Sequence, residues 1–285
     1  MLLFKYLKPE RIDVLLNKCL VFSKPARFND PFDCLPHYQS SDELNPLGAR
    51  IYHLCARPEE LHLPRCREEI LDHVRRSFAA DPSFTLQAVV LVDSVLPENY
   101  GDMAGSFRAS LAPGLQNAVV ALSLSENASS LLMWAHYAGD HTGFVIGFDS
   151  EHRYFRAAGT NPSNPGYLNK VVYSDERPSG VAGAMSAEAA YLTKGLDWSY
   201  EKEWRILQSV KNASVVKGVP GFEVHLFDYP SDAVSKIIVG ARASAETKES
   251  IKELLSDKKV WPNATLYHAL VDERHYRLNY DRIEI

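Results

Sequence analysis

The chain has 285 residues, of which 46% are hydrophobic and 24% charged, with a formal net charge of −5 and a pI of about 6.1. This balance is typical of a globular protein, and a chain of this length can bury a core without disulfides or a structural metal. The slight acidic excess argues against a broad basic surface for nucleic acid, although it leaves room for a local basic groove.

The four cysteines, Cys19, Cys34, Cys55 and Cys66, form no C-x-x-C pair. A zinc ribbon or a redox motif is therefore not predicted. The N-terminus carries a charge at Lys5 and lacks the apolar stretch of a signal peptide. No apolar run approaches the roughly 20 residues of a membrane span. We expect a cytoplasmic protein with reduced thiols and no membrane partner.

The first residues predict a strand, a short helix and a second strand. The apolar run Leu2–Leu7 ends before Pro9 and is typical of a strand. In Glu10–Lys18 the apolar residues recur at helical spacing, which predicts an amphipathic helix. Cys19–Ser23 is the candidate second strand.

The loop Lys24–Asp33 combines two prolines with an Asn-Asp-Pro turn signal. Its two phenylalanines can anchor it, and an anchored loop can present polar groups to a ligand. Arg27, Asn29 and Asp30 are therefore candidate ligand-binding residues. The structural alternative is that Asn29 and Asp30 only form an Asx turn.

We predict a single domain spanning residues 1–285, with a mostly helical insertion at 35–115. The strongest helical signal is Pro64–Ala80, where proline suits the first turn and apolar residues recur every fourth position.

Strands outnumber helices in the second half of the chain, which favours an α+β fold. Helices are predicted at Ser186–Leu192 and after Ser244, each with a serine N-cap. The predicted strands are Val119–Ser125, Phe144–Phe148, Val171–Tyr173, Phe222–Phe227, Lys236–Val239, Leu266–Val271 and Tyr276–Ile283.

The stretch Leu131–Asp149 predicts a helix and a buried strand that meet at a tight corner. The helical part carries Trp134, His136 and Tyr137, and Gly139 can take the positive φ that ends a helix. Such a corner presents an imidazole and a phenol beside a rigid core. The histidine spacing does not fit a zinc-binding helix and no H-E-x-x-H motif is present, so no metal site is predicted.

The stretch Trp198–Ile206 is equally dense in functional groups. As a strand, it would place Glu201, Glu203 and Arg205 on one face, backed by aromatic packing. As a helix, it would form an ordinary i,i+4 ion pair between Glu201 and Arg205, worth only about 0.2–0.5 kcal/mol. We expect this stretch and Leu131–Asp149 to face one cleft.

No G-x-S-x-G, P-loop or G-x-G-x-x-G motif is present. Serine hydrolases, P-loop NTPases and dinucleotide-fold dehydrogenases therefore lose their main sequence support.

The chain resembles a bacterial family known only as a domain of unknown function, DUF2971. The resemblance rests on segments near both ends of the chain. These segments are LFKYLKP, KPARFNDPFD, LSLSEN, LLMWAHYAGDHTGFVIGFD, VVYSDERP, LDWSYEKEWRIL and IIVGARAS.

A second, weaker resemblance is to the ADP-ribosyltransferase superfamily, in the order of candidate residues along the chain and in the strand, short helix and loop at its start. That resemblance implies an α+β fold with a split or curved, mainly antiparallel sheet around an NAD cleft. It further implies an early polar residue, Tyr6 or Arg27, a middle aromatic, Tyr137, and a later glutamate, Glu203. The resemblance implies that the catalytic residues are Glu203, Glu201, Tyr137 and His136. It implies that the NAD-binding residues are Tyr6, Arg27, Asn29, Asp30, Trp134 and Arg205.

Two other functions fit the same residues. One is a non-catalytic module, such as a sensor or a toxin- or phage-defence-associated protein, that binds a nucleotide or a partner. The other is a metal-dependent nuclease using Glu201, Glu203 and His136, which the net charge and the histidine spacing disfavour.

Overall fold

The computed structural model describes residues 1–38, 118–156, 168–180, 187–219 and 222–285. The chain divides into two compact units. The first unit comprises Met1–Lys24, Val119–Tyr173 and Leu196–Ile285, and the second comprises Pro25–Ala118 and Ser174–Gly195. The predicted helix at 64–80 lies outside the described residues, as does nearly all of the predicted insertion.

The strands are short to medium in length and are numbered in chain order. They are β1 (Leu2–Leu7), β2 (Cys19–Phe22), β3 (His37–Tyr38), β4 (Val119–Ser125), β5 (Phe144–Asp149), β6 (Asn169–Lys170), β7 (Val172–Ser174), β8 (Ser179–Gly180), β9 (Thr193–Gly195), β10 (Glu203–Ser209), β11 (Val215–Lys217), β12 (Val224–Asp228), β13 (Val234–Val239), β14 (Thr265–Val271) and β15 (Leu278–Ile283).

The helices of the described residues are mostly short. The α-helices are α1 (Asp13–Asn17), α2 (Leu131–Tyr137), α3 (Arg153–Arg156), α4 (Ala187–Leu192) and α5 (Ala245–Ser256). Single 3₁₀ turns lie at Pro9–Ile12, Pro25–Arg27, Leu196–Glu201, Val210–Asn212 and Ser231–Ala233.

An eight-stranded sheet in the order β15-β14-β13-β5-β1-β4-β10-β6 forms the centre of the first unit. Its neighbouring strands are antiparallel except β13 and β14, which are parallel and are connected through α5. A smaller sheet, β11-β12-β2, belongs to the same unit. The predicted α+β class with a mainly antiparallel sheet is confirmed.

The central sheet separates between β1 and β4. β1 pairs with β5 from Leu2 to Leu7, but it meets β4 only at Phe4 and Ser125. Nearer the start of β4, Ala121 pairs instead with Ser23, through two backbone hydrogen bonds of 2.9 Å. A gap therefore opens beside the second half of β1.

Apolar side chains cover both faces of the central sheet. On one face, Val14 and Leu15 of α1 and Ile251 and Leu255 of α5 join a large buried cluster. On the other face, α2 contributes Met133 and Trp134 to a second cluster, which also contains side chains of β1. Burial on both faces explains why these strands are apolar nearly throughout.

The corner after α2 is sharp because of its backbone conformation. Ser130 caps α2 by accepting a hydrogen bond from the Met133 N–H. Gly139, Asp140 and His141 then all have positive φ values, of 56°, 54° and 69°. This run turns the chain directly into the buried β5, as the sequence predicted for the glycine.

In the second unit, β3 and β8 pair in parallel. Lys194 and Asp33 are both buried, and the Lys194 Nζ lies 3.7 Å from the Asp33 Oδ2. This ion pair satisfies two charges that would otherwise be costly to bury.

Two predicted elements differ from the structure. The helix predicted at 10–18 is a 3₁₀ turn followed by α1, because Arg11, inside the 3₁₀ turn, has non-helical backbone angles. The strand predicted from Trp198 begins only at Glu203, because Leu196–Glu201 forms a 3₁₀ turn. The N-cap predicted at Ser186 lies outside the described residues, whereas that at Ser244 is confirmed by its 3.1 Å hydrogen bond from Thr247 N–H.

Among the described residues, no helix combines the length and apolar character needed to cross a membrane.

Candidate functional site

The first two polar residues of β10 form a buried ion pair. Glu203 and Arg205 alternate by two along the strand, so their side chains lie on the same face. The Arg205 Nε donates to Glu203 Oε1 at 2.8 Å, and an Nη donates to Oε2 at 3.1 Å. Glu203 is 4% exposed and Arg205 is 1% exposed. The bidentate geometry holds the carboxylate in one orientation.

Glu201 reaches the same region from the end of the 3₁₀ turn Leu196–Glu201, not from a strand. The expectation of one continuous strand over Trp198–Ile206 is wrong at this point. Lys202 has a φ of 45° and redirects the chain between the two glutamates. The Tyr137 hydroxyl donates to Glu201 Oε1 at 2.6 Å, a short bond typical of an ionised acceptor.

This hydrogen bond joins the two stretches that were predicted to face one cleft, while the cleft itself stays a prediction. A second contact supports the junction, since His136 Nδ1 lies 3.2 Å from the Tyr200 hydroxyl. His136 is exposed, whereas Glu201 is 3% exposed. Tyr137 is therefore the residue of α2 that contacts a carboxylate, and His136 lies on the outer side of the junction.

Two residues that the sequence did not indicate hold the backbone of this cluster. The Ser125 hydroxyl donates to the Glu201 carbonyl oxygen at 2.6 Å. The Glu203 N–H donates to the Tyr173 hydroxyl oxygen at 2.8 Å. Both contacts join residues that are far apart in the chain, so no local pattern could have predicted them.

Lys5 of β1 lies beside the gap in the sheet, at an alternating position that it shares with Leu3 and Leu7. Its Nζ donates to the Ser123 carbonyl oxygen at 3.1 Å. Burial is the main cause that lowers the pKa of Lys5, to about 8. The negative charges of Glu203 and Glu201 raise this pKa, and the positive charge of Arg11 lowers it. The signal in the sequence was a single lysine inside an otherwise apolar strand.

The two other aromatic candidates contact the segment between β4 and α2. The Tyr6 hydroxyl donates to the Asn127 carbonyl oxygen at 2.6 Å, and the Trp134 Nε1 donates to the Ala128 carbonyl oxygen at 2.8 Å. Both side chains are buried, and burial raises the pKa of Tyr6. These contacts give both residues a structural role, while contact with NAD stays a prediction.

The remaining candidates belong to the second unit. Arg27 ends the 3₁₀ turn Pro25–Arg27 and is exposed, as is Asn29. Asp30 is buried, and its Oδ1 accepts a hydrogen bond from the Phe32 N–H at 2.9 Å. This is the Asx turn considered as the structural alternative for Asp30. A ligand role for this loop stays a prediction.

The cluster in the first unit offers two oriented carboxylates, a phenol and a cation, which suits stabilisation of a developing positive charge. It does not resemble a metal centre. Within the described ranges, no group of three or more His, Cys, Asp or Glu side chains could hold a metal ion.

Residues 133–206 match the model of a family described as "Protein of unknown function (DUF2971)". The family resemblance inferred from the sequence is confirmed over this segment, which covers about a quarter of the chain. The matched segment contains Tyr137, Glu201, Glu203 and Arg205. Neither a curated protein nor a solved structure matches the chain.

Proposed function

We propose that the protein is an NAD-consuming enzyme, either an ADP-ribosyltransferase-like or an NAD-glycohydrolase-like one, with Glu203 as its central carboxylate. The observation that carries this proposal is the burial of two carboxylates two residues apart, Glu201, which accepts a hydrogen bond from Tyr137, and Glu203, which is paired with Arg205. Buried carboxylates are rare unless they are paired, and clusters of them are typical of sites that handle charge.

In this reaction the bond between the ribose C1′ and the nicotinamide nitrogen breaks, and its electron pair leaves with nicotinamide. The ribose becomes cation-like, and water or another nucleophile then adds to C1′ and loses a proton. An ionised Glu203 would accept a hydrogen bond from a ribose hydroxyl and stabilise this cation. Arg205 would act by orienting Glu203, while the phosphate contact expected for it from the sequence stays a prediction.

Nicotinamide release from NAD by the purified protein tests the proposal. We expect Glu203→Gln to abolish release while the protein keeps its fold, as judged by circular dichroism. Glu249→Gln is the matched control, because Glu249 is an exposed carboxylate on α5 outside the cluster. Unchanged turnover in Glu203→Gln would exclude the proposed role.

One observation favours a second candidate, a non-catalytic module that binds a nucleotide or a partner. Both oxygens of Glu203 accept hydrogen bonds from Arg205, as they would in a purely structural network. For such a module, a thermal-shift titration with NAD would show saturable binding, and mass spectrometry would recover the ligand intact. Recovery of free nicotinamide would exclude this alternative.

A further inference from the structure

A cavity of about 630 Å³ lies in the first unit, between α2 and the turn that joins β14 to β15. Leu131 and Ala135 of α2, one helical turn apart, form part of its wall. Tyr137 lies on the opposite side of the helix, where it bonds Glu201. Neither Glu201 nor Glu203 is among the described residues that line the cavity. The cavity is therefore separate from these two carboxylates, and its volume is typical of small-molecule sites.

Two fixed backbone segments carry the polar side chains of the cavity. In the corner after α2, Asp140 and His141 have φ values of 54° and 69°, which non-glycine residues keep only where their surroundings hold them. The Arg242 N–H donates to the His141 carbonyl oxygen at 2.9 Å, so the turn after β13 is held against this corner. In the turn between β14 and β15, Asp272 accepts a hydrogen bond from the Arg274 N–H at 2.9 Å.

Four exposed, charged side chains line the cavity, and they are Arg242, Arg274, Asp140 and Glu273. Within the described part of the chain, none of these side chains forms an ion pair or a hydrogen bond. The other two charged side chains of the lining, Asp272 and Arg277, are paired with each other at 3.0 Å. Two guanidinium groups and two carboxylates are thus available to a ligand.

Two aromatic rings complete the lining. The His141 ring lies nearly parallel to the buried Trp134 ring, at an angle of 10° and a centroid distance of 6.0 Å. Burial and then the charge of Arg242 lower the pKa of His141, whereas Asp140 raises it, so the imidazole is mainly neutral at neutral pH. Tyr276, at the tip of the turn, is fully exposed and can stack on a planar ligand.

We propose that this cavity binds a ribonucleotide. Guanidinium groups bind phosphate oxygens through charge-assisted hydrogen bonds, which suits Arg242 and Arg274. Carboxylates accept hydrogen bonds from ribose hydroxyls, which suits Asp140 and Glu273. A base stacks on an aromatic ring, which suits Tyr276. The two carboxylates would repel a simple anion, whereas a ribonucleotide has a complementary group for each of these side chains. The site does not depend on the proposed NAD reaction.

Isothermal titration calorimetry of the full chain with ADP, GDP, CDP and UDP tests the proposal. We expect saturable binding of at least one of them, and an affinity lower by about tenfold or more in Arg242→Met and in Arg274→Met. Arg282→Met is the matched control, because Arg282 is an exposed arginine of β15 outside the described lining. Failure of all four nucleotides to bind, or unchanged affinity in both variants, would overturn the inference.

Recognition of the ribose is tested with the 2′,3′-dideoxy analogue of the nucleotide that binds. The analogue should bind the wild type more weakly than the ribonucleotide does. The double variant Asp140→Asn/Glu273→Gln should remove this difference, whereas Arg242→Met should keep it. Equal affinities of the two ligands for the wild type would contradict the proposal. A single-stranded RNA oligonucleotide that displaced the nucleotide and bound more tightly would assign the surface to nucleic acid and overturn it.

Variants of the other carboxylates distinguish this site from the proposed NAD site. Glu203→Gln and Tyr137→Phe should leave the nucleotide affinity unchanged, whereas loss of binding in these variants alone would overturn the inference. A protein that binds the nucleotide as expected but releases no nicotinamide from NAD keeps this site and loses the proposed function. A protein that releases nicotinamide but binds none of the four nucleotides keeps the proposed function and loses this site.

Discussion

Two of the arginine–carboxylate pairs in the first unit, one in β10 and one in the turn between β14 and β15, differ in burial. In the Glu203–Arg205 pair, both side chains are 5% exposed or less. In the Asp272–Arg277 pair, which closes the turn between β14 and β15, the arginine side chain is 60% exposed. The donor and acceptor chemistry is the same, and the distances are 2.8 and 3.0 Å.

The exposed pair stabilises the turn between β14 and β15. Asp272 also accepts hydrogen bonds from the Arg274 and His275 N–H groups and from the Asn279 side chain. The Arg274 N–H is the largest cause that lowers the pKa of Asp272 well below its usual range, followed by the Asn279 side chain. One carboxylate thus organises a tight turn, as aspartate commonly does.

The buried pair lies at the start of β10, a strand that is also held by its backbone pairing with β4. Burying two charges is costly, and apolar residues of similar size often serve stability as well. The comparison teaches that the two pairs share their chemistry but differ in the cost of desolvation, and that a buried, paired carboxylate is typical of a functional site.

The largest expected effect is that of Arg205→Met. This substitution leaves the Glu203 carboxylate buried without its bidentate partner, which typically costs about 3–5 kcal/mol. Urea denaturation measures the free energy of unfolding. The double variant Glu203→Leu/Arg205→Met should recover most of the loss. A loss below about 1 kcal/mol for Arg205→Met would place the pair with ordinary surface ion pairs.

The next effect is that of Tyr137→Phe, which removes the 2.6 Å hydrogen bond to Glu201. Hydrogen bonds to charged groups contribute about 1.5–3 kcal/mol, and we expect a loss in this range from urea denaturation. Tyr267→Phe is the control, because no hydrogen bond from the Tyr267 hydroxyl is present among the described residues. Equal losses in the two variants would contradict a special role for the Tyr137 hydroxyl.

A smaller effect is expected from Lys5, and it depends on pH. Between about 8 and 10.5 the unfolded chain still holds the proton that the folded chain has released, so folding becomes more favourable as the pH rises. The full difference between the two pKa values corresponds to about 3 kcal/mol. Because Lys5 is half-buried, solvent screening reduces this value, and relative to Lys5→Met we expect the wild-type free energy of unfolding to increase by up to about 2 kcal/mol across this range. Parallel pH profiles for the two proteins would show that the lysine is not perturbed.

The smallest effect is expected from Asp272→Asn, in the exposed turn. Because folding lowers the pKa of Asp272, its contribution to stability is present above the unfolded value of 3.8 and is lost as the pH falls below it. The melting temperature of the wild type should fall more than that of Asp272→Asn between about pH 5 and about pH 2. If Asp272→Asn lowered the free energy of unfolding at neutral pH by more than Arg205→Met does, the exposed pair would stabilise the protein more than the buried one, against this expectation.

The elements that the sequence predicted well are those with purely local signals. The bounds predicted for β1 and β4, Leu2–Leu7 and Val119–Ser125, agree with the structure, because a predominantly apolar run of this length is typical of a buried strand. The cap at Ser244 was equally predictable, because a serine hydroxyl satisfies a free N–H of the first turn.

The stretch around Glu201 was less predictable, because alternation and helical spacing compete over so few residues. The actual conformation, a 3₁₀ turn that ends at a positive φ on Lys202, follows neither pattern. It is held by contacts with distant parts of the chain, such as the bond from Ser125, 76 residues away.

By itself, the sequence determined the fold class, most strand positions and the presence of Glu201, Glu203, Arg205 and Tyr137 in two dense stretches. Periodicity and capping act over a few residues, so they can be recognised without a structure. Only the tertiary structure decided that Tyr137 bonds Glu201, 64 residues away, and that the sheet opens beside Lys5. Both depend on the order and register of strands, which arise from packing between distant segments and not from any local pattern.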